Sequence, residues 1–142
     1  MTRLLIFATI LVAGCAVTVN PESRKSVSLR NSPPAQGMAT VFVGRECPIT
    51  MPRHSVSING SEREYLECMK FTRFDVPPGN SFAAFSSTEN TAEIEFSADS
   101  GDVVYIKMDW STGSGMGDVN VEPEIVDSEA GIEMISRMQA VE

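Results

Sequence analysis

The chain has 142 residues, 42% of them hydrophobic, and a formal net charge of −8, a size that suits one domain with a real core. The charge is unevenly placed: from Cys15 to Arg73 eight Lys/Arg oppose five Asp/Glu, whereas from Phe74 onward two oppose fourteen. An acidic domain repels phosphate backbones, which argues against a nucleic-acid partner, and the acidic half reads as a solvated, soluble surface.

Residues 1–14 read as a signal peptide. Arg3 supplies a positive start, Leu4 to Val12 form an apolar run of nine residues, and the small residues Ala13 and Gly14 follow. Nine residues are too few to span a bilayer core. The run Val12-Ala13-Gly14-Cys15 resembles the lipobox of bacterial lipoproteins, in which the cysteine receives acyl chains such as palmitate and becomes the new N-terminus. The resemblance implies lipid attachment at Cys15. Ala16 in the next position, rather than Asp, implies the outer membrane, facing the periplasm. An ordinary cleaved signal or a buried helix are the alternative readings.

Residues 15–37 are expected to be a lipidated N-terminus and a flexible linker. Pro21, Pro33, Pro34, Gly37 and several serines accompany Arg24, Lys25 and Arg30 without apolar periodicity. Random-coil scaling gives such a tether a span of roughly 25 Å.

Residues 38–142 read as the folded domain. Ala39 to Arg45 is apolar on both faces, as a central strand would be, and the prolines Pro48 and Pro52 make Cys47 to Arg53 a loop. Ser55 to Ile58 alternates and meets Asn59-Gly60, the pair best suited to a type I′ hairpin turn, with Glu62 to Leu66 as its partner. Phe71 to Val76 ends at Pro77-Pro78-Gly79, and Ser81 to Ser86 follows. Thr91 to Phe96 points Ala92, Ile94 and Phe96 inward and Glu93 and Glu95 outward. Val103 to Trp110 is the longest strand, with Val104, Ile106, Met108 and Trp110 on one face. Ser111 to Gly117 reads as a mobile loop, and Pro123 after Asp118–Glu122 marks an edge or a bend. Asp127 or Ser128 caps a closing helix through about Gln139, with Ile132, Ile135 and Met138 on one face despite Gly131. Regular turn signals about every ten residues predict a mainly β fold: a single antiparallel β-sandwich of about seven or eight strands, with the helix on an edge or an open end.

With Cys15 committed to lipid, Cys47 and Cys68 remain as an even pair in an oxidising compartment. They form either a disulfide, worth roughly 3 kcal/mol in the chain-entropy model, or two buried thiols. Their spacing is not a zinc pattern.

The order of motifs in the domain resembles a family. Pro33 to Val43, Val56-Ser-Ile-Asn-Gly60, Phe74-Asp-Val-Pro-Pro-Gly79, Ser100 to Lys107, and Pro123 to Asp127 ahead of Gly131 are similar to small bacterial lipoproteins carrying domain of unknown function 2846. The resemblance covers residues 33–138 and implies a sandwich related to PEGA and carboxypeptidase-regulatory modules, immunoglobulin- or prealbumin-like. It implies no activity, because that of the family is undefined, and it supplies no catalytic residues. Cys47, Cys68 and the long loop after Cys47 depart from the family's usual short first hairpin.

No catalytic constellation stands out. His54 is the only histidine; beside Pro52 and Arg53 it reads as an exposed loop residue rather than a general base. Asp99, Asp102, Asp109, Asp118, Glu122 and Glu124 offer hard oxygens but lack a calcium-loop spacing, so they read as solvent-facing carboxylates and no metal or other cofactor is expected. Trp110, Tyr65 and Tyr105 read as core rather than as a sugar platform, and Met134 and Met138 as packing rather than copper ligands. The sequence thus leads to a non-enzymatic, lipid-anchored envelope module whose partners are the membrane and another envelope protein. The competing reading is a periplasmic binder of a small ligand or glycan, using Trp110 and the Gly113–Gly117 loop.

Overall fold

The computed structural model describes residues 18–47, 51–112 and 119–141. The anchor residues Val12, Ala13, Gly14 and Cys15, the Gly113–Gly117 loop and Asp118 lie outside the described residues. Among the described residues, no helix is long and apolar enough to cross a membrane.

The chain runs α1 (Arg24–Asn31), β1 (Ala39–Arg45), β2 (His54–Ile58), β3 (Glu64–Leu66), β4 (Lys70–Val76), β5 (Gly79–Ser86), β6 (Thr91–Ala98), β7 (Val103–Thr112), β8 (Val119–Val126), α2 (Ser128–Ser136) and β9 (Gln139–Ala140). The strands form two sheets, β8-β7-β1-β4-β9 and β3-β2-β5-β6. Their facing sides bury Val41, Val43, Ile106, Met108 and Val121 against Val56, Ile58, Leu66, Ala83 and Phe85. The fold is therefore mainly β and sandwich-like, with a late helix.

The hairpin signals worked because they are local. Asn59 and Gly60 have φ of 50° and 75°, and β2 pairs antiparallel with β3 behind them. The alternation of Thr91 to Phe96 is realised, with Phe96 buried and Glu93 and Glu95 exposed. β1 is central and buried throughout. β8 carries Pro123 on the sheet edge, where a missing N–H does no harm.

Four expectations are corrected. The five-stranded sheet is mixed rather than antiparallel: β1 runs parallel to β7, and β4 parallel to β9. The described residues form nine strands where seven or eight were expected.

The late helix covers neither an edge nor an open end. It lies on the outer face of the five-stranded sheet, where Phe42, Phe71 and Tyr105 pack with Met134, Ile135 and Met138 in a second core. Gly131 belongs to the inward face, since a Cβ there would overlap the Tyr105 ring, and Ile132 turns outward at 55% exposure. Gly44 on β1 makes room in the same way, because a Cβ would come within 2.8 Å of Met134.

The segment read as a free tether carries α1 and is docked. Ser23 caps the helix by accepting from the Ser26 amide, and the buried Ser26 Oγ accepts from the Ala140 amide at 2.9 Å. Arg30 donates to the carbonyls of Ile135 and Ser136 at the end of α2. Arg73 donates to Leu29, Ser32 and Pro33 carbonyls while pairing with Asp75 at 2.9 Å. The helix has little apolar periodicity of its own, and these tertiary bonds hold it.

Candidate functional site

One end of the sandwich gathers most of the unusual chemistry. Arg45 closes β1 and His54 opens β2, so the two face each other between the sheets, at 0% and 1% exposure. His54 has the same parity as Val56 and Ile58, and this strand pattern carries it inward. The expectation of an exposed loop histidine is thus wrong; Pro52 ends the loop two residues before β2 begins.

Arg45 donates from Nη1 to the Leu66 carbonyl at 2.9 Å, and its Nη2 lies 3.4 Å from His54 Nε2. A guanidinium only donates, so this contact requires the lone pair on Nε2 and the proton on Nδ1. That Nδ1 and Arg45 Nε have no hydrogen-bond partner among the described residues. Burial, with the adjacent Arg45 charge, pushes the His54 pKa down to about 4, and burial lowers that of Arg45 to about 10. His54 is consequently neutral at pH 7 and beside a cation, the opposite of a base supported by a carboxylate.

Cys47 and Cys68 lie at disulfide distance, with Cα atoms 5.2 Å apart, and join the end of β1 to the turn between β3 and β4. Met69 in that turn takes φ of 59°, a left-handed conformation unusual without glycine. It is held by its amide to the Arg45 carbonyl and by the Gln139 amide to its own carbonyl.

Outside this end, on the seam between edge strands β3 and β9, lies a cleft of about 350 Å³. Arg53, Arg63, Tyr65 and Lys70 line it with Glu64, Glu67 and Val141. Tyr65 is 49% exposed, and the Arg53 guanidinium sits 4.9 Å from its ring centroid. Arg30, Arg73, Lys107 and Arg137 all have carboxylate partners within 4.0 Å. Arg53, Arg63 and Lys70 have none among the described residues, although two glutamates share their cleft.

This cleft has no sequence signature of its own. Its residues are scattered from 53 to 141 and meet only because β3 closes against β4 and β9. The excess of basic residues before Phe74 was the available signal.

The other singled-out residues are dispersed. Trp110 is half-buried on β7 opposite Val121, and Tyr105 is buried, stacked on Phe42 at 5.6 Å. Burial raises the Tyr105 pKa. Asp102 accepts from the Asp99 amide, Asp109 pairs with Lys107 at 2.9 Å, and Glu122 accepts from Ser111. The Asp109 hydrogen bond raises the Lys107 pKa. Met134 and Met138 pack in the second core, as expected.

The outer face of the four-stranded sheet carries Ser55, Ser57, Ala84, Ser86, Glu93 and Glu95; no helix among the described residues covers it, although Ser55 and Ser57 are buried among their neighbours. Register places these residues on one side, opposite the buried Val56, Ala83 and Phe85. Phe82, 41% exposed, stands on the same side beside Glu95. No family model matches the chain, and no curated protein matches it.

Proposed function

We propose that the chain is a non-enzymatic module of the bacterial envelope, anchored through acylated Cys15 to the outer membrane and engaging another envelope protein. The observation that carries this reading is the outer face of the four-stranded sheet, which no helix among the described residues covers. Its small side chains between Tyr65 and Phe82 make a broad shallow surface, the shape that suits a protein partner better than a small enclosed ligand. Trp110, half-buried on β7, offers a glycan less exposed ring than the glycan-binding alternative calls for, which favours the protein-partner reading. The sealed His54 beside Arg45 supports the non-enzymatic part. Kinship with the domain-of-unknown-function 2846 lipoproteins, and an immunoglobulin- or prealbumin-like classification, are parts of the same proposal, supported by motif order and by two packed sheets.

The test combines Cys15→Ser with in-cell photocrosslinking from position 82. Cys15→Ser is expected to leave the detergent-extracted membrane fraction, and a crosslinker at 82 to capture one envelope protein that a crosslinker at 132, on α2, does not. Wild-type membrane retention of Cys15→Ser sinks the anchor. A small molecule bound to the purified protein, without a specific crosslink, sinks the protein-partner role.

A further inference from the structure

The docked N-terminal segment changes how far the domain sits from its anchor. The described chain joins the domain at Asn20, whose amide donates to Gln139 Oε1 at 2.9 Å. Four residues separate Asn20 from Cys15. Even fully extended, five residue steps reach at most about 18 Å, less than the diameter of a small domain.

That attachment point lies beside the basic cleft. Gln139 is the register partner of Lys70, and Val141, two residues on, lines the cleft with Lys70. The face closest to the anchor therefore presents Arg53, Arg63 and Lys70, free of ion pairs among the described residues, with the exposed ring of Tyr65 between them. Arg24 and Lys25 are exposed at the start of α1, whose Ser26 is bonded to the neighbouring Ala140. Glu64 and Glu67 temper the charge of the cleft without closing it. Cations together with an interfacial tyrosine are the side chains that settle among anionic headgroups.

We propose that the β3–β9 seam is apposed to the membrane and that Arg53, Arg63 and Lys70 bind the phosphates of anionic lipid headgroups. This rests on the lipid-anchor reading and adds to it an orientation: the seam faces the bilayer and leaves the bare sheet face accessible to the side. The anchor supplies proximity, and the cations supply the orientation.

The experiment uses the full acylated chain, with acylation of Cys15 first checked by mass. It is reconstituted in vesicles of phosphatidylcholine alone or of phosphatidylcholine with phosphatidylglycerol, and hydrogen exchange is followed over residues 63–70. Exchange is expected to slow in the anionic vesicles only, to recover in high salt, and to lose about fivefold of its protection for each of Arg53→Gln, Arg63→Gln and Lys70→Gln. The Glu64→Gln/Glu67→Gln variant, which keeps the side-chain size at both positions, is expected to gain protection. Equal exchange in both vesicle types, or protection unmoved by these variants, overturns the proposal. So does the same protection produced by millimolar inorganic phosphate without vesicles, which would make this a soluble-anion site. An unacylated Cys15 defeats the anchor reading itself, whereas acylated protein without anionic-lipid protection defeats this inference alone.

Discussion

The two sheets turn very different outer faces away from their common core. The five-stranded sheet shows Phe42, Phe71 and Tyr105 and is covered by α2; the four-stranded sheet shows serines, Ala84 and glutamates and has no covering helix among the described residues. The difference is written strand by strand. β1 alternates between two apolar sets, Val41 and Val43 toward one core and Phe42 toward the other, so it is buried throughout. β6 alternates between apolar and acidic residues, so only one side is buried. Covering a face requires apolar side chains on it and also space for the covering helix, which Gly44 and Gly131 provide.

That contrast can be broken most severely at the tightest contact of the covered face. Gly131→Val drives side-chain atoms into the Tyr105 ring and is expected to cost about 3 kcal/mol or more, read as a lower urea midpoint with loss of the tyrosine near-UV signal. The inner side of the bare sheet has a different weakness. His54 titrates near 4 in the folded chain against 6.5 when unfolded, so below the unfolded value the unfolded state binds more protons. Its contribution is complete above about pH 6.5 and is lost as pH falls toward 4, reaching about 2 kcal/mol of lost stability near pH 5. His54→Gln is expected to flatten stability across that window, measured by denaturation at pH 7 and pH 5. The smallest effect belongs to the bare face itself: Phe82→Thr is expected to change stability by no more than about 0.5 kcal/mol while removing the proposed partner contact. A large loss there would mean that the face is supporting the fold rather than waiting for a partner.

The strands were legible because alternation and turn chemistry are local properties. Asn59-Gly60, the alternating β6 and the double-sided β1 all declared themselves. The second core was only half visible. Gly131 reads as a helix defect until Tyr105, 26 positions earlier, is known to lie beneath it. α1 was hidden for a related reason, since its restraints come from Arg73 and Ala140 rather than from its own pattern. His54 was recoverable: extending the alternation of Val56 and Ile58 by one step places it inward, but the flanking Pro52 and Arg53 argued for loop. The cleft could not be assembled from sequence, because Arg53, Tyr65, Lys70 and Val141 share no motif and are joined only by strand pairing.

The parallel pairing of β1 with β7 also governs the order in which the chain can complete itself. Thr40 waits for Val103, 63 positions later, and Phe71 waits for Ala140 on β9. The β2–β3, β5–β6 and β7–β8 hairpins close within short stretches as they emerge. β1, buried along its whole length, is among the first to be made, and its β7 neighbour appears only after most of the domain has followed. High contact order of this kind slows folding and lengthens the time for which such a strand is exposed to other chains. Val41, Phe42 and Val43 are thus apolar residues that must wait long for their final neighbours while the chain folds.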